Sequence, residues 1–177
     1  MKPLIVENKV LTASRLETIL GPMQIIADES KLYLLEFHDQ KKLTLRNKKL
    51  NTQLNATIIP GETRITKQIK KELENYFNGK SSEFKTPLQM LGTPFQQTVW
   101  KALLKIPVGK TQSYLELAGQ IKHPKSYRAV ANANGANQLA VIIPCHRVIN
   151  HNGNLGGYGG GITRKQWLIE HELRNFK

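Results

Sequence analysis

The hydrophobic pattern changes period part-way along the chain, and that change limits the folds open to it. Before Leu91, short apolar runs bounded by turn residues sit beside one helical stripe. After Gly92 almost every patterned segment reads as a short, capped helix. Met23–Ala27 follows the turn signal Gly21-Pro22 and reads as a strand. Leu32–Phe37 reads as a second strand, residues 28–31 as the hairpin between them, and Thr57-Ile58-Ile59 as a shorter third. From Glu62, Ile65, Ile69, Leu73, Tyr76 and Phe77 form one helical stripe that Asn78-Gly79 stops. Residues 80–92 are polar, hold Pro87 and read as a linker.

In the second part, Thr93-Pro94-Phe95-Gln96 has the form of a capping box with proline at the first helical position. Phe95, Val99, Ala102 and Leu103 then face inward, and Ile106-Pro107-Val108-Gly109 ends that helix. Ser113-Tyr114-Leu115-Glu116 opens a second helix through Ile121. Residues 122–125 turn the chain, and Ser126 caps a third helix to about Gly135. Two short helices on a four-residue turn form a helix-turn-helix pattern, which an ordinary helical hairpin shares. Val141-Ile142-Ile143 reads as a buried strand, and Thr163-Arg164-Lys165-Gln166 as the cap of a final helix that turns Trp167, Leu168 and His171 inward. The expected fold class is α+β. Residues 1–91 would form a small α/β domain with an antiparallel sheet, linker included; residues 92–177 would form a mostly helical domain with the helix-turn-helix. At 177 residues the chain can bury a core without staples.

Charge narrows the partners. The formal net charge is +13, from 26 Lys+Arg against 13 Asp+Glu. No acid lies between Glu116 and Glu170, a stretch that holds Lys122, Lys125, Arg128, Arg147, Arg164 and Lys165. Such a balance suits a polyanion through counterion release, or simply a basic surface. The run Lys41-Lys42-Leu43-Thr44-Leu45-Arg46-Asn47-Lys48-Lys49 is expected to be a solvated loop or strand edge. The start, Met1 to Glu7, is charged too early for a secretory signal, and no run of about 18 apolar residues exists to span a membrane.

The sole cysteine, Cys145, excludes an intramolecular disulfide and any multi-cysteine zinc site. It lies in Pro144-Cys145-His146-Arg147. A thiol becomes nucleophilic on losing its proton, and a neighbouring imidazole can take that proton directly or through a water. The imidazole in turn needs a carboxylate, and downstream of Glu116 only Glu170 and Glu172 remain. Composition does not choose between them, nor between a nucleophilic Cys145 and an inert buried one. Six of the nine residues from Gly153 to Gly161 are glycine, which allows close backbone approach to a ligand but also suits a flexible connector. The stretch lacks the Gly-Lys-Ser/Thr ending of a phosphate loop. Tyr158 within it could stack on a base. The third helix, Arg128-Ala129-Val130-Ala131-Asn132-Ala133-Asn134-Gly135, is too small-sided to read a major groove, but small residues allow close approach to a sugar–phosphate backbone or a narrow groove.

Ile143-Pro144-Cys145-His146-Arg147-Val148 resembles the active-site signature of the O6-alkylguanine-DNA alkyltransferases, or methylated-DNA–protein-cysteine methyltransferases. The similarity continues through residues 95–100, Ile106-Pro107-Val108-Gly109, Ser113-Tyr114, Arg128-Ala129-Val130, Asn137, the glycine loop around Tyr158, and Trp167-Leu168 with His171-Glu172. It covers about Gly92 to Leu173; before that only Gly21-Pro22-Met23 and the strand pair are similar. The resemblance implies a DNA-repair protein that moves the alkyl group of O6-alkylguanine, and of O4-alkylthymine, irreversibly onto Cys145. It implies that His146 draws the thiol proton through a water and that Glu172 orients His146. It further implies a flipped guanine met by the Tyr114 hydroxyl, the carbonyls of Cys145 and Val148, the Gly159 amide and Tyr158, with Asn137 bracing the turn and Lys165 holding the pocket. Arg128 would enter the base stack from the minor groove, on a helix whose Ser126, Ala129 and Gly135 face DNA.

By the same resemblance the chain would act once, as a monomer, in the cytoplasm or a eukaryotic nucleus, without a cofactor. Some relatives hold a structural zinc through N-terminal cysteines; this chain lacks a second cysteine, so none is expected. Residues 137–140 lack prolines that some relatives carry, and Gly159 replaces a serine. Alkyltransferase-like binders replace the cysteine, a transcription factor would need base-reading side chains, and a cysteine hydrolase would turn over.

Overall fold

A computed structural model describes residues 8–176, so the reading of residues 1–7 lies outside the described residues. The chain opens with a four-stranded sheet in the order β3-β2-β1-β4. Its strands are β1 (Lys9–Leu16), β2 (Met23–Ala27), β3 (Leu32–Phe37) and β4 (Ala56–Pro60). The β2–β3 hairpin forms because Asp28 Oδ1 accepts the amides of Ser30 and Lys31, both at 2.7 Å, closing an Asx turn. Every residue of β3 is buried, since both faces of the sheet are covered.

Two expectations for this part need correction. The sheet is antiparallel over β3–β2–β1 but parallel where β1 meets β4. A crossover helix, α1 (Leu43–Leu54), joins β3 to β4 and provides the length a parallel return requires. That helix is the segment expected to be a loop or strand edge. Leu43, Arg46 and Leu50 are its buried residues, one face at helical spacing, and the leucines pack with Leu11, Ile26 and Leu34 of the sheet. Strand β1, over which no element was expected, runs Lys-Val-Leu-Thr-Ala-Ser-Arg-Leu and buries only Leu11. Pairing on both edges makes it a strand.

Helix α2 (Arg64–Phe77) starts at a capping box of Thr63 and Thr66 and turns Ile65, Ile69, Leu73 and Tyr76 into the main core. The linker then runs beside β3, where the Leu32 amide donates to Pro87 O at 2.8 Å and the Gln89 amide to Leu32 O at 2.8 Å. Past it come α3 (Pro94–Leu103), the two-residue strand β5 (Gln112–Ser113), α4 (Tyr114–Gln120) and α5 (Tyr127–Gly135). Strand β6 (Val148–Ile149), parallel to β5, and α6 (Ile162–Asn175) complete the chain. The boxes at Thr93/Gln96 and Ser113/Glu116 form as expected. Ser126 does not cap: its backbone sits at φ −103°, ψ 24°, outside the extended geometry a side-chain cap needs. Nor does Thr163: α6 begins at Ile162, after Gly161 at φ +93°.

Val141-Ile142-Ile143 is buried as expected but is a turn, not a strand. The Ile143 amide donates to Leu139 O at 2.9 Å, and Val141 takes φ +72°, a strained setting for a β-branched residue. This segment also docks on β3, through Leu35 N to Gln138 O at 2.9 Å and Ala140 N to Leu35 O at 2.8 Å. Among the described residues no helix is long and apolar enough to cross a membrane.

Arg46 ties α1 to the helical part. Its guanidinium contacts the carboxylate of Glu36, 1% exposed, and donates to Asn137 O at 2.9 Å and Gly135 O at 3.2 Å. Removing one partner of a buried pair leaves the other charge uncompensated. Arg46→Ala is therefore expected to lower stability by about 3–5 kcal/mol in urea unfolding. Arg46→Met with Glu36→Leu should lose less than Arg46→Ala alone; an equal or larger loss would contradict this reading of the pair.

Candidate active site

Cys145 does not end a strand. It begins a three-residue 3-10 turn, Cys145–Arg147, held between the Val141 turn and β6. Asn137 braces this turn. Its Oδ1 accepts the Leu139 amide at 2.9 Å, while its Nδ2 donates to Ile143 O at 2.9 Å and lies 3.1 Å from Cys145 Sγ. Cys145 is 7% exposed, and burial pushes its thiol up from the ordinary value, against the Asn137 bond and the charge of Lys165. The resting group is therefore a thiol that needs a base.

The imidazole beside it is fully buried, and burial pushes His146 below its ordinary value despite the pull of Glu172. It is neutral and able to accept a proton. His146 Nε2 lies 2.7 Å from Glu172 Oε1, while Nδ1 is buried with no hydrogen-bond partner among the described residues. Glu172 gathers more donors: Arg147 Nε at 2.8 Å and Nη2 at 3.0 Å, the Tyr76 hydroxyl at 2.7 Å and the Gly109 amide at 3.1 Å. Burial opposes ionisation of Glu172, but the His146 contact and the Arg147 guanidinium outweigh it and hold the carboxyl well below the usual range. Glu170 instead bonds Gln166 at the exposed surface.

Cys145 opens on a cavity of about 460 Å³, within the roughly 300–1,000 Å³ of small-molecule sites. Tyr114, Asn137, Tyr158 and Gly159 line it, with Arg128 and Gly135 from α5. Burial raises the Tyr114 and Tyr158 hydroxyls, so both stay protonated donors; the Tyr158 hydroxyl has no partner among the described residues. The Val148 carbonyl accepts from Lys165 Nζ at 2.6 Å, and the Cys145 carbonyl accepts from both Asn134 Nδ2, at 3.3 Å, and the Val148 amide. Ala129 is exposed on α5 and Ser126 lies just before it, partly exposed. Neither lines the cavity.

The glycine loop is pinned rather than free. Lys165 is fully buried and donates to the carbonyls of Val148, Leu155 and Gly157. Burial lowers its pKa to about 8. Gly160 packs so tightly that a Cβ there would meet Phe37 at 2.9 Å, and Arg164 joins the loop to Asp39 and to Leu20 O. Among the described residues no three His, Cys, Asp or Glu side chains cluster as metal ligands.

This constellation has relatives. Residues 94–174 match the 6-O-methylguanine DNA methyltransferase DNA-binding domain, and residues 12–90 match the ribonuclease-like domain of the same family. A methylated-DNA–protein-cysteine methyltransferase of Methanosarcina mazei is 39% identical over 157 residues, 88% of this chain and 93% of that protein. The chain belongs to the 6-O-methylguanine DNA methyltransferase family. The fold agrees. The crystal structure of the Mycobacterium tuberculosis O6-methylguanine methyltransferase superposes with a TM-score of 0.81 at 40% identity, over 94% of this chain and 95% of that one. The same organism's OGT in complex with DNA gives 0.78 at 40% identity, over 94% of each chain.

Against this family background, sequence reasoning missed four contributors. Arg46 and Tyr76 reach the site from the N-terminal part, Asn134 holds the Cys145 carbonyl, and the Gly109 amide serves Glu172. The only available signal was the Leu43/Arg46/Leu50 spacing, which puts a cation on a buried face.

Both depressed groups leave the folded chain binding fewer protons than the unfolded chain on acidification. Stability should therefore fall first as the unfolded-state histidine protonates near pH 6.5, then further below about pH 4.3 as the unfolded-state glutamate does. Urea unfolding across that range should give a shallower acid limb for Glu172→Gln than for the parent. An unchanged limb would contradict the assignment of Glu172 as a buried, ionised group.

Proposed function

We propose that this methyltransferase-family chain repairs DNA by moving the alkyl group of O6-alkylguanine, and of O4-alkylthymine, onto Cys145 in a single turnover. The observation that carries the reading is a lone thiol, beside a neutral buried imidazole, opening on a cavity edged by protonated tyrosine hydroxyls and by α5. Support also comes from the M. tuberculosis relative crystallised with DNA.

The α4–α5 pair meets duplex DNA from the minor groove, and Arg128 enters the stack where the damaged base leaves it. Ser126, Ala129 and Gly135 let the helix approach the backbone closely, because none carries a long side chain. Extruding the base costs a few kcal/mol, least for a poorly paired one. In the cavity, the Tyr114 hydroxyl donates to the guanine ring and the Gly159 amide faces O6. The Cys145 and Val148 carbonyls accept from the exocyclic amine. Tyr158 covers the base.

His146 takes the thiol proton through a water, and Glu172 stabilises the imidazolium that forms. The sulfur attacks the alkyl carbon; the S–C bond forms as the C–O bond breaks. The proton returns at the guanine, so charge and atoms balance with no cofactor. The thioether product is stable, and each molecule repairs one base as a monomer in the cytoplasm or a nucleus. Residues 92–177 form the DNA-binding and active-site domain; residues 1–91 form an N-terminal domain whose Arg46 and Tyr76 support the site.

Mass analysis of the Cys145 peptide, after incubation with a duplex holding one O6-methylguanine, tests this. One added methyl per chain, with guanine restored and no turnover, is expected, and Cys145→Ser should bind the duplex without repairing it. Restored guanine with unmodified Cys145, or no repair, would sink the reading.

A further inference from the structure

The exposed face of α1 has no part in the steps above. Residues 40–61 contain no Asp or Glu but hold Lys41, Lys42, Arg46, Lys48 and Lys49. Lys42, Leu45 and Lys49 recur at i, i+3 and i+7 and so share one face of the helix. They line a groove of about 490 Å³ whose opposite wall includes Ala131 and Asn132 of α5, and no acidic side chain lines it. The groove runs into the Cys145 cavity: Lys42, Arg46, Ala131, Asn132 and Gly135 line both. Three surface lysines pair with acids, Lys9 with Asp28, Lys70 with Glu62 and Lys85 with Glu83, whereas Lys67 and Lys71 of α2 do not among the described residues. Lys42 and Lys49 are exposed and join no ion pair among the described residues.

We propose that α1 is a second phosphate-binding edge. Lys42 and Lys49 hold the sugar–phosphate backbone of the duplex that α5 addresses, along the groove between the two helices. The inference rests on the DNA-repair reading above. It fills a gap in that reading, because α5 offers the DNA small side chains and one long cation, Arg128. Close approach with few phosphate contacts positions a helix but binds weakly, since phosphate contacts supply most of the affinity for a duplex. The acid-free lysine face lies beside the cavity, where the backbone of an extruded nucleotide must pass. Leu45, 67% exposed between the lysines, meets sugar rather than phosphate.

Salt dependence of binding to an O6-methylguanine duplex distinguishes this role from a structural one. Each neutralised phosphate adds about 0.9 to the slope of log affinity against log salt. Lys42→Gln with Lys49→Gln should reduce that slope by about 1.8. Lys42→Arg with Lys49→Arg should keep it. Lys67→Gln with Lys71→Gln, on α2 and lining neither cavity, removes the same charge and should leave the slope unchanged. An unchanged slope in the Lys42/Lys49 glutamine variant, or an equal fall in the α2 control, overturns the proposal. Methyl transfer from DNA by the parent chain is read separately. With transfer present and the slope unchanged, the α1 edge alone fails; without transfer, the repair reading fails and takes the α1 edge with it.

Discussion

The Glu172 carboxylate fixes the rest of the site. It is 1% exposed and ionised, and a buried charge costs several kcal/mol unless its lone pairs are occupied. Its donors come from three separate places: Tyr76 on α2, the Gly109 loop, and His146 and Arg147 on the 3-10 turn. Each segment must arrive for the carboxylate to be satisfied. Cys145 is the residue before His146, so its position follows from that one requirement.

Buried and half-buried cations repeat the logic around the site. Arg46 satisfies the carbonyls of Gly135 and Asn137, Lys165 gathers those of Val148, Leu155 and Gly157, and Arg164 takes those of Leu20 and Gly160. Irregular backbone is therefore tied down at its carbonyls, where a helix or sheet would have used its own amides. The strained Val141 is tolerated within this bracing. Part of the formal +13 thus goes inward to hold loops, and the remainder faces outward, on α1 and α5 among other segments.

What could be read from sequence was what is decided locally. The capping boxes at Thr93 and Ser113 and the Asx hairpin at Asp28 depend on residues three or fewer apart, and they formed as expected. Strand β1 was illegible because pairing with two neighbours makes it a strand, not its own apolar pattern. Helix α1 was hidden under a lysine-rich run whose inward face is only three residues wide. The Val141-Ile142-Ile143 run showed its burial but not its turn, because β-branched composition reports the environment rather than the backbone path. In the candidate site, Cys145 and His146 are adjacent in sequence and stood out. The choice of Glu172 over Glu170 came only through family resemblance, and Tyr76, 96 residues away from Glu172, left no trace at all.

The central claim is that a buried, ionised Glu172 holds His146 ready to take the proton of Cys145. The direct measurement is the single-turnover rate of methyl transfer from an O6-methylguanine duplex by folded Glu172→Gln beside the parent, at saturating protein. General-base catalysis is worth about 10²–10⁴-fold, so a fall of at least about 10²-fold with duplex affinity unchanged is predicted. A folded variant that transfers at the parental rate would contradict the account.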